Sequence, residues 1–363
     1  GGTWTHPANS GGEVEVERLC VTVGGDFTLG ASGAININGK GHEPQMGPGA
    51  GNNSGLAAAR SASYGGSGAY NIEGRGTYGS AVWPENLGSG ARGVGGGALK
   101  LIVGGKATIN GKVLALGTTP TSNNNYCHGT GGSILIMAHE MGGSGTLDAG
   151  LDVSLRSSYY GSGGGRIALH ATASADFSEL SLSAYAYKST INGYNGAAGT
   201  IYLSGPEGAR LIVDQGGFEP LAGNGTDIPA VASDFAVDPA IDGELADAIL
   251  VVTNKAVVAL TRDIRFKNIG WLDSGLTLNS FTLYLKESAP DGVFPADFGG
   301  GVVEPSGSVY TFDDGTPVIR DGRLFWGDSN VTWRVVSLAT PTVGGTATFD
   351  GGETEGYYAP ASE

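Results

Sequence analysis

Four segments of this chain repeat one short grammar, a glycine-rich run followed by an alternating apolar segment, and no other feature so narrows what it can fold into. GVGGGALKLIV begins at Gly93, GTGGSILIMA at Gly129, GSGGGRIALH at Gly161 and GAAGTIYLSG at Gly196. The residues that follow the glycine runs, Ala98, Ser133, Arg166 and Thr200, are 35, 33 and 34 positions apart. Period-2 alternation such as Leu99, Leu101 and Val103 marks strands, and pairs such as Gly104-Gly105 mark turns. A fixed period of this size means stacked supersecondary units that cannot bury their apolar faces alone. For strands this predicts a Gly-rich parallel β-helix, or β-solenoid, with repeats of about 34 residues. A flexible glycine linker is excluded, because the aliphatic positions alternate at the same place in every copy.

An earlier copy, LCVTVGGDFTLGASGAININGKG from Leu19, aligns its Gly24-Gly25 with Gly104-Gly105 and its Asn36/Asn38-Gly39 with Asn110-Gly111. Between it and the regular coils lies a long insertion, residues 40–92. The expected organisation is therefore an N-terminal cap at 1–18 with Trp4 in its core and a solenoid over 19–215 carrying the insertion. An acidic connection at 216–248 and a second β section at 249–363 follow. That last section continues and caps the stack, with Trp326 and Trp333 as capping core.

Composition narrows the function classes. Glycine contributes 66 of 363 residues, yet there is no Gly-X-Y period and only 15 prolines, which excludes collagen. Charged residues are 15% of the chain and the net charge is −15. Through Arg210 there are 12 basic and 13 acidic residues, whereas from Leu211 onward there are 8 and 22. An acidic chain does not suit nucleic acid or an anionic membrane surface, both of which select a basic one. No apolar run approaches a membrane span and no signal peptide is visible. Both ends read as those of a mature or excised segment. Cys20 and Cys127 fit no zinc or CxxC pattern. In an exported chain they could pair as one disulfide or stay free, Cys20 pointing outward from its strand and Cys127 lying in a loop.

Candidate binding residues fall in the loops between coils, 118–128, 151–160 and 185–195, which stacking must place side by side. They carry Tyr126, Tyr159, Tyr160, Tyr185, Tyr187 and Tyr194, with His128, Arg156 and Lys188 among them. A ladder of tyrosines suits a polysaccharide groove, since each ring offers a flat apolar face and a hydroxyl. Arg75, Tyr78 and Trp83 in the insertion are further ligand candidates, because insertions in repeat proteins gather on one face. The acidic run from Asp214 to Asp247 has no Lys or Arg, lacks the EF-hand order and contains a short helical piece near 243–248. Ca2+ is the one cofactor its oxygen-rich side chains would suit.

The phrases VGGDFTLGASGAININGKG and VGGKATINGKVLALG resemble coils of right-handed parallel β-helix proteins of the bacterial surface, of the autotransporter and filamentous-haemagglutinin passenger kind. The resemblance covers residues 19–217, with weaker echoes to 286, and implies architecture and a secreted or cell-surface location. It carries no catalytic motif with it. The expected function is a non-catalytic structural or adhesive protein that contacts polysaccharide or associates with its own kind. The alternative is a polysaccharide lyase, which would need a base and a carboxylate-neutralising cation; His128, Arg156, Tyr160 and Lys188 could supply these roles. A hydrolase needs two facing carboxylates, and the coil loops offer little beyond Asp152. There is no GxSxG elbow, and the glycine runs precede strands without a following GK[ST], so a phosphate loop is excluded.

Overall fold

The computed structural model describes residues 1–51, 61–69, 76–119, 127–151, 160–189, 193–230, 245–262, 264–272 and 275–277, and beyond these the backbone of strand segments between 282 and 358. The described protein is all-β, without a helix. Its early strands are β1 (Thr3–Trp4), β2 (Leu19–Val23), β3 (Phe27–Leu29), β4 (Ala34–Asn36), β5 (Ala98–Ile109) and β6 (Lys112–Leu114). Then come β7 (Ser133–Gly142), β8 (Thr146–Asp148), β9 (Arg166–Ala175), β10 (Ser181–Ser183), β11 (Thr200–Gly205) and β12 (Gly208–Asp214). The later strands are β13 (Thr226–Ile228), β14 (Ala248–Thr253), β15 (Val257–Leu260), β16 (Ile264–Phe266), β17 (Asn268–Leu272) and β18 (Gly275–Thr277).

One long sheet runs β2-β5-β7-β9-β11-β12-β14-β17, with β3 also on β5, and a shorter one runs β1-β4-β6-β8-β10. The pairs from β2 to β11 and all pairs of the short sheet are parallel. Ala98, Ser133, Arg166 and Thr200 are direct register partners in turn. The alternation within each strand then sets two faces. Leu99, Ile134, Ile167 and Ile201 lie on one line and Leu101, Ile136 and Leu169 on the next. They bury against Ile35, Val113 and Leu147 of the short sheet as one core.

The register corrects one sequence alignment. Gly24-Gly25 does lie beside Gly104-Gly105, but Ala34 pairs with Lys112, so the partner of Gly111 is Gly33 and not Gly39. The tight turn Gly30 to Gly33, closed by a 2.8 Å bond from the Gly33 N–H to the Gly30 carbonyl, makes the corner earlier than the Asn-Gly spacing suggested.

The coil grammar also breaks at Gly205-Pro206-Glu207-Gly208. There β11 and β12 form an antiparallel hairpin in which Gly205 faces Gly208, whose φ is +120°. Proline presets the turn backbone, and a glycine tolerates the positive φ that closes it. Beyond the hairpin β12, β14 and β17 are parallel to one another but run opposite to the first coils. The core changes side with the direction. Leu211, Val213, Leu250 and Val252 bury against Ile228, Val258, Leu260 and Leu276 of a second short sheet, β13-β15-β18, together with Phe266. One long sheet is thus the shared wall of two cores on its opposite faces.

The insertion supplies a third layer. Val82 packs on Leu135, Ala168 and Tyr202, which point away from the first core, and Ala62, Tyr64, Tyr78, Leu87 and Ala91 are buried. Its contact with the coils is made by glycine segments that are extended without being strands. Gly95, Gly96 and Gly97 donate in succession to the carbonyls of His42, Thr130 and Ile37 at 3.0, 2.9 and 2.9 Å. Gly163, Gly164 and Gly165 likewise donate to Ala62, Ala197 and Ala149 at 3.0, 3.0 and 2.8 Å. Three successive N–H groups thus point to three different neighbours, whereas a strand has only two directions. Such segments pack backbone on backbone. A Cβ on Gly131 would sit 1.6 Å from the Ala149 carbonyl oxygen, and one on Gly163 would sit 1.8 Å from that of Gly66.

Three other expectations are revised. Of the helical piece expected near 243–248, the described residues are a turn, Leu245-Ala246-Asp247, and Ala248, which opens β14. Trp4 is not cap core: it extends the edge of the short sheet as β1 and is 43% exposed, its ring 5.4 Å from that of Phe27. Cys20 is exposed on β2 and Cys127 is buried, and both are free thiols. Trp326 and Trp333 lie on strands whose side chains are outside the described residues.

Candidate functional site

The loops 118–128, 151–160 and 185–195 approach one another where they are described. Gly117 bridges to Leu151, and Cys127 to Tyr160, both in parallel. Tyr160 and Tyr194 meet edge to face, with ring centroids 5.3 Å apart. The Asn195 carboxamide ties down the last loop, accepting from the Ser189 N–H at 2.8 Å and donating to the Glu219 carbonyl at 2.6 Å. Tyr160, Tyr185 and Tyr194 are half-buried and Lys188 is exposed, so these four present themselves at the surface. The Tyr185 hydroxyl lies 3.4 Å from Asp214 Oδ2, and burial raises the phenol pKa of both Tyr185 and Tyr160. Tyr126, Arg156, Tyr159 and Arg75 lie outside the described residues.

Two loop residues point inward instead. His128 is 1% exposed, its ring 4.3 Å from that of buried Tyr187, and neither ring nitrogen has a hydrogen-bond partner. Burial lowers its pKa to about 3. A neutral, enclosed imidazole fills space at the loop base, and in this position it cannot reach a proton on a polymer outside.

Tyr78 is buried too, as part of a polar network that docks the insertion on the coils. Its hydroxyl donates to the Leu87 carbonyl at 2.6 Å and lies 2.8 Å from Ser89 Oγ. Its carbonyl accepts from Arg166 Nε and Nη2 at 3.2 and 3.0 Å, while Arg166 Nη1 donates to Thr200 Oγ1 at 2.9 Å. The guanidinium lies 5.4 Å above the Tyr64 ring, and the Tyr64 hydroxyl meets Ser133 Oγ at 2.6 Å. Burial pushes the Tyr64 phenol up to about 12 and also raises the Asp227 carboxyl, which accepts from Thr77 Oγ1 at 2.8 Å. Ser133, Arg166 and Thr200 are the polar members of the repeat line. Sequence reasoning used them only to measure the period, although polar side chains at a position occupied by alanine in the first copy were the available signal.

The N-terminal segment is fastened to the same insertion. Glu15 accepts from the Leu87 N–H at 3.0 Å, pairs with Arg18 and lies 3.5 Å from His42 Nε2. Burial opposes its ionisation, but these partners hold its carboxyl below the usual range.

Trp83 is the exposed aromatic among the described residues of the insertion, at 37%. Its ring is stacked on His170, 4.2 Å away and 4° from parallel, and His170 in turn lies 5.3 Å from Tyr202. The Ser80 hydroxyl accepts from the N–H groups of Val82 and Trp83 at 3.1 and 2.9 Å, and His170 Nε2 is 2.8 Å from the Val82 carbonyl. Two residues on, Glu85 pairs with Lys100 at 2.6 Å.

Among the described residues no group of three or more His, Cys, Asp or Glu side chains converges on a metal position. Three of the described acids of the run are engaged separately: Asp214 with Gly216 and Asn254, Glu219 with Lys255, and Asp227 with Thr77. Asp234, Asp238, Asp242 and Glu244 lie outside the described residues. A hollow of about 260 Å³ opens at the N-terminal edge, lined by Trp4, Phe27, Leu29 and glycines. No protein-family model, curated protein or solved structure matches this chain.

Proposed function

We propose that this chain is a non-catalytic structural or adhesive β-solenoid of an extracellular surface, such as a surface layer, sheath, filament or adhesin, each coil of about 34 residues adding one rung. The observation that carries this proposal is the in-register line Ala98, Ser133, Arg166 and Thr200, whose spacing equals the repeat. Polar residues able to do chemistry are spent on packing along that line, as Arg166 and Tyr78 illustrate. A surface location and kinship with bacterial β-helix passengers are part of the same proposal and rest on the glycine grammar.

Two contacts are assigned to it. One is polysaccharide, met by the loop tyrosines that stay accessible, Tyr160, Tyr185 and Tyr194, beside Lys188. The other is self-association through the N-terminal edge. Leu19, Val21 and Val23 on edge strand β2 are half-buried, whereas their partners Leu99, Leu101 and Val103 are fully buried. An edge left in this state invites another strand. Of the lyase candidates, His128 is buried and Arg156 lies outside the described residues, while Tyr160 and Lys188 reach the surface, so the lyase stands as the alternative that a cleavage assay decides.

The test is incubation with uronic-acid and neutral polysaccharides, following unsaturated ends by absorbance, reducing sugar and retention on insoluble polymer. Retention or concentration-dependent association without cleavage is expected. Release of unsaturated or reducing ends would overturn the non-catalytic assignment.

A further inference from the structure

We infer that Trp83 is the centre of a second contact site, a preformed platform for the flat C–H face of a neutral, equatorially linked hexose in a polysaccharide. This extends the carbohydrate contact proposed above to a different face, the outer face of the long sheet and not the inter-coil loops.

An exposed aromatic that binds nothing is usually free to rotate, and ordering it on binding costs rotamer entropy. Here that cost is already met. Ser80 Oγ fixes the backbone N–H groups of Val82 and Trp83, and the Val82 carbonyl fixes His170 through Nε2. The imidazole then lies flat under one indole face. With that face covered, the 37% exposure belongs to the opposite face and the ring edge. Neutral His170, kept below its ordinary pKa range by burial, supports the indole without placing a cation under it.

The surroundings match a sugar better than an apolar partner. Beside His170 on the same outward line of the sheet are Met137 and Ile102, both half-buried, which make a small apolar floor. Lys100, which carries the Glu85 pair, stands two strands across and two residues along from His170, roughly 12 Å at the usual strand spacing and rise. Each partner is about a third exposed on its side chain. The pair uses one acceptor and one donor, so a carboxylate oxygen and two ammonium protons remain for hydroxyl groups. A rim that is neutral overall favours a neutral sugar over a uronate. A stacking face with a few polar groups on one side is the general form of a carbohydrate site, apolar body and polar rim.

The experiment titrates the full chain with cellohexaose and, separately, with a galacturonic acid hexamer, reading tryptophan fluorescence and heat. Cellohexaose is expected to bind and to perturb the fluorescence, with Trp83→Ala weakening affinity at least fivefold and Trp83→Phe by less. Glu85→Gln should weaken it about twofold. Trp4→Ala, at the other exposed tryptophan among the described residues, should leave affinity unchanged. Urea melts of each variant establish that it is folded, and Trp83→Phe keeps the test valid if the alanine variant is not. Absence of cellohexaose binding, preference for the galacturonic acid hexamer, or equal binding by the parent and Trp83→Ala each overturns the platform. These outcomes separate from those of the broader proposal. Retention of Trp83→Ala on insoluble polymer with parental strength would leave the loop tyrosines as the contact, and polymer cleavage would end the non-catalytic assignment while leaving the platform standing.

Discussion

His128 shows how a residue type that suggests catalysis can be consumed by packing. Its folded pKa of about 3 lies below the ordinary 6.5, so folding favours the neutral ring. The stability this gives is complete above about pH 6.5 and is lost progressively as the pH falls towards 3, by up to about 1.4 kcal/mol per pH unit for one proton. His6 and His170, also lowered by burial, act in the same direction. His128→Leu should therefore flatten the acid limb of the stability profile by up to one proton, as measured by urea denaturation from pH 7 to 4. An unchanged slope would mean that the ring is hydrated in solution. Arg166 is the opposite case, a buried cation that cannot shed its proton. Arg166→Ala leaves the Tyr78 carbonyl, Thr200 and the nearby Asp227 without their donor or counter-charge, and should cost about 3–5 kcal/mol. Arg166→Lys, which lacks the planar fork that spans Tyr78 and Thr200, should recover only part of this.

At the scale of elements, the glycines divide into those that shape turns and those that let segments touch. Gly131→Ala and Gly163→Ala would drive a methyl group into a carbonyl of a neighbouring segment. Each should cost several kcal/mol, on the order of the largest single-residue effects. Gly24→Ala, with nothing within 4 Å of its added Cβ, should change stability by less than about 1 kcal/mol. Comparable losses at all three positions in thermal or denaturant unfolding would contradict the packing described. The strand starts were legible in the sequence because Ala98, Ser133, Arg166 and Thr200 follow glycine runs, and strand alternation identified Leu99, Leu101 and Val103 as one face. The hairpin at Pro206-Glu207 was not, because a short Gly-Pro-Glu-Gly turn occupies the place where the strand from Ala98 carries Gly104-Gly105 and alternation continues through it. Nor was the third layer, because Leu135, Ala168 and Tyr202 face outward from the first core and only a segment distant in sequence, around Val82, makes that face buried.

For the whole molecule, the shared sheet with cores on opposite faces explains why the site was harder to read than the fold. Tyr160 and Tyr194 come from loops at the same place in successive repeats and meet edge to face, but burial of His128, Tyr187 and Tyr78 depends on partners distant in sequence. Exposure of Trp83 likewise depends on the line Ile102, Met137 and His170, residues from three coils. The same architecture leaves a physical problem at the N-terminal end. There β2 offers an unpaired edge, its core positions Leu19, Val21 and Val23 are only half covered, and Trp4 and Phe27 border a hollow of about 260 Å³. An inward-pointing charge is one of the devices by which natural edge strands avoid pairing, and β2 has none among these three positions. Under the proposed structural role this end joins another copy, so the parent chain should show concentration-dependent association in sedimentation velocity. Val21→Lys supplies the missing charge at a position already half open to solvent, and should leave the chain folded by circular dichroism while reducing association at least tenfold. If Val21→Lys and the parent sediment alike at every concentration, self-association through this edge is excluded and the adhesive contact with polysaccharide is left to carry the function.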